Sequence, residues 1–208
     1  MEQYTGYKTL ELSDDDFNDV YTKGDLYWAH FNENEYLIAK NIAGEIVDKF
    51  VYRNGKLERV MYNTFKNSYT GLLKPRNEHQ ELAFEMLKNP DITVKLITGT
   101  WGTGKTLALV VAALDAVQKG QFEKIVWVRN NVQVKDTDNL GALPGDAYDK
   151  MLPYLGPFMD HIGGEDGVKM LIEHNQLEVI PLGFLRGRSI RNAIIICSEA
   201  ENLTKEHI

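Results

Sequence analysis

Gly99-Thr100-Trp101-Gly102-Thr103-Gly104-Lys105-Thr106 is a complete G-x-x-x-x-G-K-[ST] run. Its flanks decide how it is read. Thr93-Val94-Lys95-Leu96-Ile97-Thr98 ahead of it predicts a buried β-branched strand, and Leu107, Val110, Val111, Leu114 and Val117 behind it fall on one helical face. The run therefore sits where a strand turns into a helix, which makes the chain a nucleotide-binding candidate.

The spacing has a mechanical reason. Glycine lets the backbone take positive φ and turn consecutive N–H groups inward as an anion nest, and a helix starting at Lys105 adds its unpaired N–H groups and dipole. Gly99, Thr100, Trp101, Gly102, Thr103 and Gly104 form the cradle, Lys105 reaches the β- and γ-phosphates, and Thr106 Oγ holds Mg²⁺. Trp101 is unusual in such a loop; it either covers the loop or packs against nucleotide.

The whole chain has 208 residues, enough for one large domain or two small ones, and 43% hydrophobic content supports a real core. A net charge of −7 argues against a generally basic nucleic-acid coat. Cys197 is the only cysteine, so no intramolecular disulfide can form, which suits a reducing compartment. No apolar run approaches the length of a membrane span, and the acidic N-terminal region, with Asp14, Asp15 and Asp16, is unlike a signal peptide. These features together predict a cytoplasmic protein without a membrane partner.

Composition shifts near residue 75, which predicts a small β-rich unit over 1–73 and a nucleotide-binding unit over 74–208. In the first, 26–31, 35–40, 45–52 and 57–62 read as strands of an antiparallel meander, with Asn54-Gly55 as a type I′ hairpin turn. Tyr27, Trp28, Phe31 and Tyr36 read as the core of that unit, with a base-stacking platform as the alternative. In the second, Asn77 caps a helix with Leu82, Ala83, Met86 and Leu87 on its apolar face, and Gln80 on that helix could read adenine through its carboxamide. Further buried strands are predicted at 124–129, 177–180 and 193–197, giving a three-layer α/β sheet. The last of these leads into Ser198-Glu199, which places Glu199 as candidate general base beside the loop mouth.

Six segments in order then resemble the PhoH family of phosphate-loop ATPases, whose core is similar to the first half of a superfamily 1 helicase. They are Pro75-Arg76-Asn77-Glu78-His79-Gln80, the loop at 99–106, Asn139-Leu140-Gly141-Ala142-Leu143-Pro144-Gly145-Asp146, Lys150-Met151-Leu152-Pro153-Tyr154-Leu155, Leu185-Arg186-Gly187-Arg188-Ser189 and Ser198-Glu199-Ala200-Glu201-Asn202. The resemblance implies a P-loop NTPase fold, ATP and Mg²⁺ as ligands, and hydrolysis coupled to RNA or single-stranded DNA remodelling. It also implies Asn77 and Gln80 near the base, Arg186 and Arg188 in a basic element near nucleotide or RNA, and a homo-oligomeric ring.

Two departures modify this. Ser198 stands where the family's D-E-A-Q-N motif has aspartate, so the metal-side position lacks a negative charge and turnover should fall while phosphate binding survives. The sequence also ends at Ile208, before the strand that in this branch inserts between the loop strand and the Glu199-bearing strand. The expectation is an incomplete sheet with weak hydrolysis, completed by a further C-terminal segment. A nucleotide-holding module without turnover is the alternative, and a nucleic-acid adaptor using the β unit is a third.

Overall fold

The computed structural model describes residues 4–129, 155–182, 185, 187–198 and 200. The chain divides into two compact units, 1–64 with 74–95, and 65–73 with 96–208. This division differs from the single cut between 73 and 74 read from the sequence. Residues 65–73 leave the β unit to pair on a helix of the second, and 74–95 return to give the first a helix.

The first unit contains β1 (Tyr7–Glu11), α1 (Asp14–Lys23), β2 (Tyr36–Lys40), β3 (Ile46–Arg53), β4 (Lys56–Arg59) and α2 (Glu78–Lys88), with sheet order β1-β2-β3-β4. β1 runs parallel to β2 because α1 crosses over between them, so the sheet is mixed where an antiparallel meander was expected. α1 starts at a capping box: the Asp16 N–H donates to Ser13 Oγ and the Ser13 N–H to Asp16 Oδ2. It stops at Gly24, whose φ of 71° is a left-handed C-cap. Asn54 and Gly55, at φ of 51° and 79°, turn β3 into β4 as their pairing predicts.

The stretch 26–31 is coil, not a strand. Its side chains explain why: Leu26 and Phe31 drop into the core, while Trp28 Nε1 donates to Asp16 Oδ1 at 2.8 Å. Of the four aromatics, Phe31 and Tyr36 are buried, and Tyr27 and Trp28 are exposed. One face of the sheet packs Leu37, Ala39, Phe50 and Leu57 against Val20 of α1. The opposite face packs Tyr36, Ile38, Val51 and Val60 against Leu82 of α2. Polar groups fix that second contact. Arg53 holds Glu85 at 2.9 and 3.0 Å, the Tyr36 hydroxyl donates to the same carboxylate, and Lys49 pairs with Glu81 at 3.0 Å.

The second unit contains β5 (Phe65–Asn67), β6 (Gly71–Leu73), α3 (Lys105–Gln118), β7 (Lys124–Arg129), α4 (Gly156–Met159), α5 (Glu165–Glu173), β8 (Leu177–Pro181) and β9 (Ala193–Ser198). The last three strands make a parallel sheet of order β8-β7-β9. Alternation along β7 sorts the two faces. Ile125 and Trp127 join Val110, Ala113, Leu114 and Val117 of α3, Phe158 of α4 and Leu171 of α5, while Val126 and Val128 face Ile180, Leu182, Leu185 and Ile190. Among the described residues, helices therefore cover one face, and Leu182, Leu185 and Ile190 pack on the other.

The expected strand at 93–98 is not formed. Val94 and Leu96 are 86% and 73% exposed, so the segment is not buried either. A strand exists by pairing, and among the described residues β9 pairs only with β7, on one side. Lys95 is instead occupied with α2, donating from Nζ to the carbonyls of Leu87 and Asn89 at 2.9 and 2.7 Å.

Candidate phosphate-binding site

The loop at 99–106 is shaped by its glycines. Gly102 and Gly104 have φ of 75° and 84°, a region that residues with a Cβ reach only at a cost, and no side chain caps the helix that follows Gly104. The start of α3 thus offers N–H groups and the positive end of its dipole to an anion. Lys105 Nζ donates to the carbonyls of Gly99 and Thr100 at 2.8 Å each, and Thr103 Oγ1 donates to the Thr100 carbonyl at 2.9 Å. The ammonium is folded back across the mouth of the loop. A phosphate oxygen would compete with those two carbonyls for it, and as a charged acceptor it makes the stronger bond.

Trp101 is 97% exposed, so it does not cover the loop. Thr106 lies in the first turn of α3. α3 ends at Gln118 and reaches the start of β7 through 119–123, so it runs antiparallel to the strands and its first turn lies toward their carboxyl ends. Ser198 closes β9 at that same end, in register with Arg129. Thr106 and Ser198 are hydroxyls that fit a hydrated Mg²⁺ carried by nucleotide phosphates. No cluster of three His, Cys, Asp or Glu able to hold a metal occurs among the described residues.

The other expected site residues are placed differently. Arg188 is paired with Glu178 at 2.7 Å, beside Lys124 at 2.6 Å from the same carboxylate. Glu178 and Lys124 lie near the amino ends of β8 and β7, so this guanidinium is anchored away from the carboxyl ends where the loop sits. Its two cations hold the Glu178 carboxyl below the usual carboxylate range, the Lys124 hydrogen bond most strongly. This partner was legible in principle, because Lys124 and Glu178 are charges set in otherwise apolar strands.

Asn77 and Gln80 belong to the first unit and work for α2. Asn77 Oδ1 accepts the Gln80 N–H at 2.9 Å, and Gln80 Oε1 accepts the Arg76 N–H at 2.8 Å. The carboxamide oxygen needed for two-point recognition of adenine is thus engaged. Glu199 and Arg186, with 139–146 and 150–154 of the family segments, lie outside the described residues.

The PhoH-like protein family matches residues 72–208, a span that starts just ahead of α2 and takes in the loop, α3 and the parallel sheet. The chain belongs to the PhoH-like protein family. Among curated relatives, Protein PhoH2 of Bacillus subtilis (strain 168) is 32% identical over all of this chain and 49% of its own length. A PhoH-like protein of the same organism is 29% identical over 94% of the chain and 67% of its own. Protein PhoH2 of Thermobispora bispora is 28% identical over 97% and 47%. The chain thus spans about half the length of both PhoH2 relatives. Membership makes it a protein of the P-loop NTPase α/β fold. Among the described residues no helix is long and apolar enough to cross a membrane.

Proposed function

We propose that this chain binds ATP at residues 99–106 and hydrolyses it with Mg²⁺, the hydrolysis serving RNA or single-stranded DNA remodelling. The observation that carries the reading is the uncapped start of α3 behind two left-handed glycines, with the Lys105 ammonium poised over the loop. Backbone N–H groups take the phosphates, Lys105 exchanges its carbonyl partners for β- and γ-phosphate oxygens, and Thr106 with Ser198 holds the metal. Mg²⁺, when bound, neutralises charge on the transferring phosphoryl group. Glu199 orients the attacking water. Gln80 reads the base only once its carbonyl releases the Arg76 N–H, which a comparison of ATP with GTP on Gln80→Ala would expose.

A second reading, nucleotide holding without turnover, is favoured by two observations. Ser198 brings no charge to the metal, and the segment leading into the loop is not paired into the sheet. Calorimetric titration of Mg-ATP with phosphate release followed in the same samples separates the two, Lys105→Ala serving as control. Lys105-dependent binding with release, raised by added RNA or single-stranded DNA, is the expected result. Binding without release establishes the second reading, and Ser198→Asp then shows whether the serine is the cause. Light scattering with and without nucleotide checks for a ring.

A further inference from the structure

The β5–β6 hairpin has no part in the sequence motifs, yet it is bound to the helix that carries the phosphate loop. The Lys66 N–H donates to Asp115 Oδ1 at 3.0 Å and the Ser68 N–H to Gln118 Oε1 at 2.9 Å, while Gln118 Nε2 donates back to Ser68 Oγ. Asp115 is only 4% exposed, and its second oxygen is held by Lys119 at 2.6 Å. Phe65 and Asn67 of the hairpin are buried, and Tyr69 packs against the core that α3 shares with the sheet.

α3 itself is an unusual helix for an outer layer. Every residue from Val110 to Val117 is buried, so it is enclosed well beyond a single apolar stripe. A buried carboxylate there would be costly without partners, and the hairpin backbone supplies one of the two it has. The need for this support is visible on the other side of the loop. Residues 93–98 form no ladder, so among the described residues α3 is the one regular element that joins the loop directly.

We propose that the β5–β6 hairpin is a clamp on α3, and that Asp115 and Gln118 are positioning residues which, through that helix, set the geometry of the phosphate loop. The proposal rests on the ATP-binding reading for its purpose, but its first test needs no nucleotide. Amide hydrogen exchange by mass spectrometry is compared for wild type, Asp115→Ala, Asp115→Asn and Gln118→Ala, with Lys119→Ala removing only the ion pair. Asparagine keeps a carbonyl oxygen for the Lys66 N–H.

The expected result is exchange at least 5-fold faster in Asp115→Ala both over 65–69 and over 108–112, the first hydrogen-bonded turns behind the loop, with β7 and β8 unchanged. Asp115→Asn and Lys119→Ala stay within 2-fold of wild type over 108–112. Faster exchange confined to 65–69 would overturn the proposal, making the hairpin a cover and nothing more. Should Asp115→Ala fail to fold, Gln118→Ala, altered at an exposed side chain, decides by the same two segments. Mg-ATP titration then follows: weakened binding in Asp115→Ala with recovery in Asp115→Asn is expected. Wild type that does not bind Mg-ATP counts against the functional reading and leaves the exchange result standing.

Discussion

Lys105 and Gly167 are two residues whose substitution separates binding from folding. Lys105 spends its charge on two loop carbonyls, so Lys105→Ala should leave the thermal midpoint nearly unchanged, within about 0.5 kcal/mol as for surface sites generally, while Mg-ATP affinity drops at least roughly tenfold. Calorimetry and a thermal melt on the same preparation check both halves. Gly167 is the opposite case. A Cβ there would come within 2.0 Å of the Ile162 carbonyl oxygen, inside the buried side of α5. Gly167→Ala should destabilise the second unit by roughly 1–3 kcal/mol, the range for overpacking, seen as a lower urea midpoint. An unchanged midpoint would mean α5 slides at no cost. Lys105 was legible as a candidate because it falls in an eight-residue pattern. Gly167 was not, because its requirement comes from how closely the chain at Ile162 approaches α5.

At the scale of elements, α2 is held on its sheet by charge as well as by Leu82. Arg53→Ala would leave the Glu85 carboxylate and the Tyr36 hydroxyl without their cation in a largely buried place. The expected cost is about 1–3 kcal/mol, that of leaving a buried polar group without its partner, and it should appear as faster amide exchange across α2 with β7 unaffected. Local rules revealed some elements and not others, and the division is physical. α2, α3 and the strands β7, β8 and β9 carry caps or long apolar runs that read the same in isolation. The Asn54-Gly55 turn is likewise fixed by two residues. β1 and α1 were missed although Ser13 and Asp16 form a capping box, because the acidic run was read only for its charge. The segment 93–98 has strand composition without a strand, since pairing is decided by neighbours and not by propensity. The candidate site divides the same way: the loop pattern was legible, and Lys124 and Glu178 stood out as charges in apolar strands, whereas the pairing of Arg188 with Glu178 depends on the approach of a residue outside both strands.

At the scale of the molecule, the two units should respond to acid through different carboxylates. Asp16 in the first is held below the usual carboxylate range by hydrogen bonds from Ser13, first, and from Trp28. Glu178 in the second is held down by Lys124 and Arg188. A carboxyl with a lower pKa folded than unfolded contributes its full stability above the unfolded value, about 4, and loses it as pH falls through the folded one. Both units should therefore hold their stability from neutral pH down to roughly pH 5 and lose it progressively below. Asp16 is largely solvated and Glu178 partly so; both shares are modest and shrink with added salt. Glu178→Gln should flatten the acid limb for the second unit alone, leaving the first to lose protection as in wild type. Amide exchange from pH 6 to pH 3, corrected for the intrinsic pH dependence of exchange, reads the two units separately where a single melt would merge them. If both limbs flatten together, acid sensitivity is shared between the units and the division at 64/65, 73/74 and 95/96 is not a division in stability.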